Sequence, residues 1–368
     1  MKKISILTTH RANNFGAILQ AYALVEACRK LGSDAELLDW RCPHFESLYH
    51  KLWRKSTSYP RAVLNCAWRI FRESLVRKKF DLFRDQIPKS NPLKSYDDLC
   101  SVVKDYDVFI VGSDQVWNPL CTAPRVAPEK FDHAYLLEFV EGKKKCAYAA
   151  SIGSDRVSPD NVAYIFHSAW RTFDEITMRE YLGASYVAGI VGHDVDVVLD
   201  PVLLHDVDFW IKEIRNIKVE KDVSFLYNLS GSRDFSRFAE AESSAKGIKF
   251  VDVMIPALAC GVLSKRRALG PKEFVANIYH ARYVFTSSFH ATAFSVLFGK
   301  KLYLQLPKQG VNLNSRIDTL MQQAKISGHK VYETGKEIVY FYDCSCCDIK
   351  ALKRSREKSI SRLKKMIV

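Results

Sequence analysis

The feature that most restricts this chain is a recurring cycle of a short apolar run, a polar turn and a longer stretch with apolar residues at helical spacing. The first cycle has an apolar run at residues 4–8, a turn at 10–16 containing Gly16, a helical pattern over 17–31 and, after Gly32, a second run at 34–38. Strands buried on both faces read as continuous apolar runs, so this β-α-β opening predicts a parallel sheet covered by helices. Further runs follow at 107–111, 145–150, 175–178 (with a helix from 179) and 195–199, the last ending at Asp200-Pro201. Beyond that proline the cycle restarts with a strand at 223–229, a Gly/Ser turn at 230–232, a helix at 235–245 and a strand at 248–253. A helix at 271–281 and a strand at 283–286 come next.

The expected fold is therefore α/β, with two Rossmann-like doubly wound domains over residues 1–205 and 206–330. Residues 331–368 are read as a basic helical segment able to return to the first domain. A length of 368 residues suits about two domains. A content of 48% hydrophobic and 26% charged residues excludes disorder, collagen and a disulfide miniprotein. No window approaches 18 uncharged apolar residues, and the N-terminus lacks a small-residue cleavage site, so neither a membrane span nor a signal peptide is expected. Ten scattered cysteines without regular CxxC pairs fit reduced thiols and a cytoplasmic setting. Cys344-Ser345-Cys346-Cys347 lacks a second matched pair and nearby histidines, so no metal is expected there.

The net charge of +14 resides in two places: residues 51–85 and 349–368 each carry +7. Both have apolar residues at helical spacing and read as basic amphipathic helices. Their apolar stripes either pack on the core or lie at an anionic membrane surface.

Polar residues at strand ends are the candidates for chemistry, because a parallel sheet presents those ends to ligands. The turn after the first strand offers Arg11, Asn14 and Gly16, either as an anion-binding helix start or as a capped turn. It lacks GxGxxG, so no dinucleotide site is claimed. The 112–119 segment places Asp114 among Ser113, Gln115, Trp117 and Asn118. These residues suit a base or hydroxyl-binding carboxylate beside an aromatic platform for a polar ring ligand, or an N-capping aspartate. Arg179 follows another strand, as an anion-binding guanidinium or as the partner of a surface ion pair with Glu180. Ser287, Ser288 and His290 open a helix after the 283–286 strand, and an imidazole there transfers protons near neutrality. Asn312, Asn314, Ser315 and Arg316 form a later polar group.

Taken in order, HRANNFGAILQAYAL (10–24), VGSDQVWNP (111–119), YAASIGS (148–154), TMRE (177–180), VVLDPVLL (197–204) and TSSFHATAFSVLFGK (286–300) resemble the polysaccharide pyruvyl transferase family. The resemblance implies a glycosyltransferase B-like architecture with the acceptor on the first domain and the donor on the second. It also implies transfer of an enolpyruvyl unit from phosphoenolpyruvate to two hydroxyls of a sugar in a cell-envelope or capsular glycan, with no further cofactor. His290 matches the family's motif histidine and Asp114 is the candidate base. Arg11, Asn14, Gly16, Arg179, Ser287, Ser288 and Arg316 are candidate donor or anion contacts. Ser113, Gln115, Trp117 and Asn118 are the acceptor candidates. Many members carry an arginine two residues before the histidine; this chain has Ser288, so either Arg179 or Arg316 supplies that charge or the chain marks a branch with a different donor. The partner implied is a glycan or lipid-linked sugar, met in the cytoplasm or at the inner membrane face, and no nucleic acid. The competing readings are a nucleotide-sugar glycosyltransferase and a non-catalytic protein that binds membranes or polyanions through its basic segments.

Overall fold

The computed structural model describes residues 1–44, 46, 74–123, 128–153, 160–253, 267–308 and 315–368. Among these, two six-stranded sheets account for the alternation. The first contains β1 (Lys3–Leu7), β2 (Asp34–Leu37), β3 (Val108–Asp114), β4 (Lys144–Ala150), β5 (Glu175–Met178) and β6 (Asp196–Val197), in the order β2-β1-β3-β4-β5-β6. All its pairings are parallel. The second contains β7 (Ser224–Tyr227), β8 (Phe250–Asp252), β9 (Tyr283–Thr286), β10 (Lys301–Pro307), β11 (His329–Glu333) and β12 (Glu337–Asp343), in the order β11-β12-β10-β9-β7-β8.

Here the sequence reading of 331–368 needs correction. Residues 331–343 are not helical; they supply most of β11, an edge strand, and all of β12, which pairs antiparallel with β11 on one side and β10 on the other. The run Ile338, Val339, Tyr340, Phe341, Tyr342 is β-branched and aromatic without a break, and such residues fit a pleated surface better than a helix.

In each sheet the chain departs from its first strand in both directions, between β1 and β3 and between β7 and β9. Crevices at the carboxyl ends of strands form at such reversals. The two crevices are brought together by packing. Helix α1 (Phe15–Lys30) begins with Phe15, whose ring stacks on Phe274 at 4.4 Å and meets Tyr227 edge-on at 5.4 Å. Phe274 lies on α3 (Pro271–His280), which covers the second sheet. Phe15 is 1% exposed, and burying a side chain of this size contributes about 2–3 kcal/mol. One apolar cluster therefore continues from Ile4 and Ile18 of the first unit to Phe225 and Val284 of the second.

Helix α6 (Ile349–Ile367) crosses back to the first unit. Its Ser359 hydroxyl accepts the Leu199 amide at 2.9 Å, Arg356 donates to the Leu203 carbonyl at 2.7 Å, and Lys365 pairs with Glu175 at 2.5 Å. Its apolar stripe, Leu352, Leu363, Met366 and Ile367, is buried in the shared core. Of the two alternatives for residues 349–368, the apolar stripe takes the first: it packs on the core and is not offered to a bilayer. Most of the other basic segment lies outside the described residues; its end, 74–84, is helical. Among the described residues no helix is long and apolar enough to cross a membrane.

Candidate active site

The carboxyl ends of β3 and β5, the segment after β6 and the start of α4 (Phe289–Leu297) converge on one buried cluster of charges. Arg179, 2% exposed at the end of β5, donates to Asp200 Oδ2 at 2.8 Å and to Asp114 Oδ1 at 3.2 Å. His290 reaches the same Asp200 oxygen from the second unit, with Nε2 at 3.4 Å. The Ser113 hydroxyl donates to that oxygen at 3.2 Å, and the Val202 amide donates to Oδ1 at 3.1 Å. Asp200 thus joins a guanidinium from one unit to an imidazole from the other.

Burial alone would push the Asp200 carboxyl upward, but His290 and Arg179 outweigh it and hold the group well below the usual carboxylate range. Asp114 follows the same logic: burial opposes ionisation, while Arg179, His290 and Arg316 lower its proton affinity. Two carboxylates, one guanidinium and one imidazolium sum to zero, so the cluster is electrically closed when His290 carries both ring protons.

Local structure explains the placements. Asp114 ends β3 at φ 77°, a left-handed conformation that aspartate tolerates better than most residues, and its Oδ2 accepts from Thr9 at 3.4 Å. The turn that carries Thr9 is held from outside. His10 lies 3.2 Å from Asp39, while Arg84 donates to the carbonyls of His10 and Arg11 and to Asn13. Gly16, in the first turn of α1, is bare because His290 lies against it. A Cβ there would sit 2.0 Å from Nδ1. The Phe289 ring covers the Arg179 guanidinium at 4.5 Å, a cation–π contact that excludes water from the cluster.

Several sequence expectations are corrected by these contacts. Trp117 is no sugar platform: it is fully buried, donates to the Tyr135 carbonyl at 3.0 Å and packs on Trp170 and Phe173. Apolar neighbours at the end of the helix Asp160–Trp170 and in the turn after it claim the indole. Ser113 is also fully buried and spends its hydroxyl on Ala149 and Asp200. Asn118 caps the short helix Pro119–Thr122 and donates to Gln115 at 2.7 Å, so the two amides satisfy each other. Arg11 turns away to Asp39 and Glu46, at 3.7 and 3.6 Å.

The helix starts are closed as well. Asn14 takes the amides of Gly16 and Ala17 at 2.8 and 3.2 Å, and Ser288 takes that of Ala291 at 3.5 Å, leaving those donors no free valence for an anion. Ser287 accepts from the Ser230 amide at 3.1 Å and ties the β9 turn to the β7 turn. Arg179 is a buried strut rather than a free anion holder, and Glu180 is not its surface partner. Asn312 and Asn314 lie outside the described residues.

Two groups emerge that the sequence did not place in the site. Asp200 is the hub, and its only signal was an aspartate before proline at a strand end. Glu180 is fully buried at the start of α2 (Tyr181–Val191), where Oε1 accepts the Ile152 amide at 3.1 Å. Burial raises its proton affinity, with Arg179 and Arg316 partly offsetting that effect. Arg316 lies in the first turn of α5 (Ser315–Ala324). That helix is held to α2 by the Tyr181 amide donating to Thr319 at 3.2 Å. Among the described residues no carboxylate lies within salt-bridge distance of Arg316, and its buried Nε has no hydrogen-bond partner. Among the described residues, Arg316 is the cation beside the cluster whose charge is not already spent.

No curated protein matches the chain. A family model described as polysaccharide pyruvyl transferase matches residues 14–303. Among solved structures, UDP-N-acetylglucosamine 2-epimerase from Rickettsia bellii is similar at 9% identity and a TM-score of 0.48, over 99% of this chain and 94% of that one. UDP-GlcNAc 2-epimerase from Neisseria meningitidis bound to UDP-GlcNAc is similar at 11% identity and 0.43, over 82% and 81%. An alpha-glucosyltransferase (AGT) in complex with UDP gives 10% and 0.40, over 99% and 95%. The family match, and not these distant likenesses, carries the assignment.

Proposed function

The chain belongs to the polysaccharide pyruvyl transferase family, and from that premise we propose that it transfers the enolpyruvyl unit of phosphoenolpyruvate to two hydroxyls of a glycan sugar. The observation that carries this reading is the His290–Asp200–Arg179–Asp114 chain, which joins a proton donor from one unit to a carboxylate from the other.

The chemistry needs both. A proton added to the donor's methylene carbon makes a methyl group and leaves an electron-poor carbon bearing carboxylate and phosphate. One sugar hydroxyl attacks that carbon and gives up its proton to a base. The carbon–oxygen bond to phosphate breaks, and the second hydroxyl closes the ketal. Of the two hydroxyl protons, one replaces that delivered to the methylene and the other leaves on phosphate. His290 is the acid, and Nδ1, the nitrogen not facing Asp200, delivers the proton. Asp114, kept ionised by Arg179, receives the hydroxyl proton. Arg316 supplies the positive charge for the donor's anionic groups, the role that Ser288 cannot fill.

The test is to incubate the protein with phosphoenolpyruvate and candidate glycans, following phosphate release and ketal formation by mass spectrometry, with nucleotide sugars as the competing donor. His290→Ala should abolish turnover while the protein still folds, and Arg316→Ala should raise the donor KM. Turnover with nucleotide sugars alone, or full activity in His290→Ala, would refute the reading.

A further inference from the structure

A recess of about 410 Å³ lies where both units and the C-terminal helix meet, walled by α2, the segment leading into β6, α5 and α6. It begins at Tyr181, one residue beyond Glu180. Tyr181, Ala184, Ser185 and Ala188 fall on one face of α2, so a single stripe of that helix looks into the recess. The alanines leave room, while Tyr181 at its end is 49% exposed. Across the gap stand Gln323 of α5 and Ser355 of α6.

Charge decides what fits. Lys358, the cation among the described lining residues, is held by Asp196 at 2.6 Å, so its charge is already answered. Asp194 adds an exposed carboxylate. A phosphate or a nucleotide would find acidic groups and no unpaired cation. What remains is a half-exposed aromatic ring, two hydroxyls, an amide and an acceptor carboxylate. That set matches a neutral sugar, which lays its C–H face on a ring and shares its hydroxyls with short polar side chains. The volume lies in the range of sites for small ligands.

We infer that this recess is a second glycan-binding site, holding a part of the polysaccharide away from the sugar that reacts. The inference rests on the reading that the substrate is a glycan, and it deepens that reading. Length selectivity then belongs to Tyr181 and Gln323, which lie outside the charge cluster.

The test uses the full-length protein with bacterial capsular and cell-wall oligosaccharides of graded length, observed by saturation-transfer NMR and calorimetry. Longer fragments should bind more tightly. Tyr181→Ala should weaken long fragments about tenfold, with Tyr181→Phe within about twofold of wild type. In turnover, Tyr181→Ala should raise the KM of long acceptors and leave kcat unchanged. Affinity that does not depend on length, or a Tyr181→Ala protein that binds long fragments like wild type, would overturn the site. Length-dependent binding without phosphate release would reject the pyruvyl transfer and leave the recess standing. Phosphate release with no Tyr181 effect would reject only the recess.

Discussion

Replacing Gly16 by alanine tests the cluster at its tightest point. The new methyl carbon would lie 2.0 Å from Nδ1 of His290, 2.4 Å from Cγ and 2.7 Å from Cε1, whereas ordinary contact starts at 3.4 Å. The imidazole must therefore retreat by about 1.4 Å. Because the obstruction is a side chain rather than backbone, the fold can accommodate this. Misplacing a reacting group by about 1 Å costs on the order of 100-fold in rate, or roughly 2.7 kcal/mol of barrier. Stability should fall by about 1–2 kcal/mol, since overpacking against a buried ring costs about 1–3 kcal/mol and alanine in a helical turn recovers part of that. The expected Gly16→Ala protein unfolds within a few degrees of wild type yet turns over roughly 100-fold more slowly in the phosphate-release assay. Activity within about threefold of wild type would show that His290 does no chemistry at the position described. A large loss of stability with a matching loss of activity would show that the contact is structural only.

Asp200→Asn should lower turnover at least about 100-fold, because the imidazole loses the partner that orients it, and should cost about 3 kcal/mol by leaving the Arg179 charge half-compensated; phosphate release and urea unfolding report the two effects. His205 is buried with its ring at 2.8 Å from the Ala23 carbonyl, and burial lowers its pKa to about 4. The unfolded chain therefore binds a proton that the folded one refuses, and stability should fall as pH drops from about 6.5 towards 4. The depressed Asp114 and Asp200 contribute their stability above the ordinary carboxylate range and lose it only at more acid pH. Urea midpoints between pH 4 and 7.5 test the order, and His205→Asn should flatten the slope; an unchanged slope would remove His205 from the account. Trp117→Ala should destabilise the protein by about 3–5 kcal/mol and leave the acceptor KM of the surviving folded protein near wild type, whereas an acceptor-specific defect would restore the platform role.

The parallel sheets were legible in the sequence because strands buried on both faces leave unbroken apolar runs, as 107–111 and 145–150 do. His290 and Asp114 were legible because both leave such strands at polar turns. Direction was not. Trp117 and Asp114 are three residues apart, yet one side chain enters the core and the other the charge cluster, and nothing local tells which crevice each faces. Arg11 had the right chemistry, but it is claimed by Asp39, a partner fixed by how β1 and β2 pair. Asp200 escaped notice for the opposite reason, since its importance comes from contacts 21 and 90 residues away in sequence, made only once both sheets are assembled.

The return of α6 to the first sheet has a consequence for synthesis. The last strand of that sheet ends at Val197, whereas the helix that covers its apolar edge starts at Ile349, about 150 residues later. At roughly 5–20 residues per second, the ribosome leaves that edge uncapped for on the order of ten seconds. Nascent chains arrested before residue 349 should accordingly be protease-sensitive around Leu199 and Leu203 and prone to chaperone capture, a vulnerability that ends when the final helix emerges.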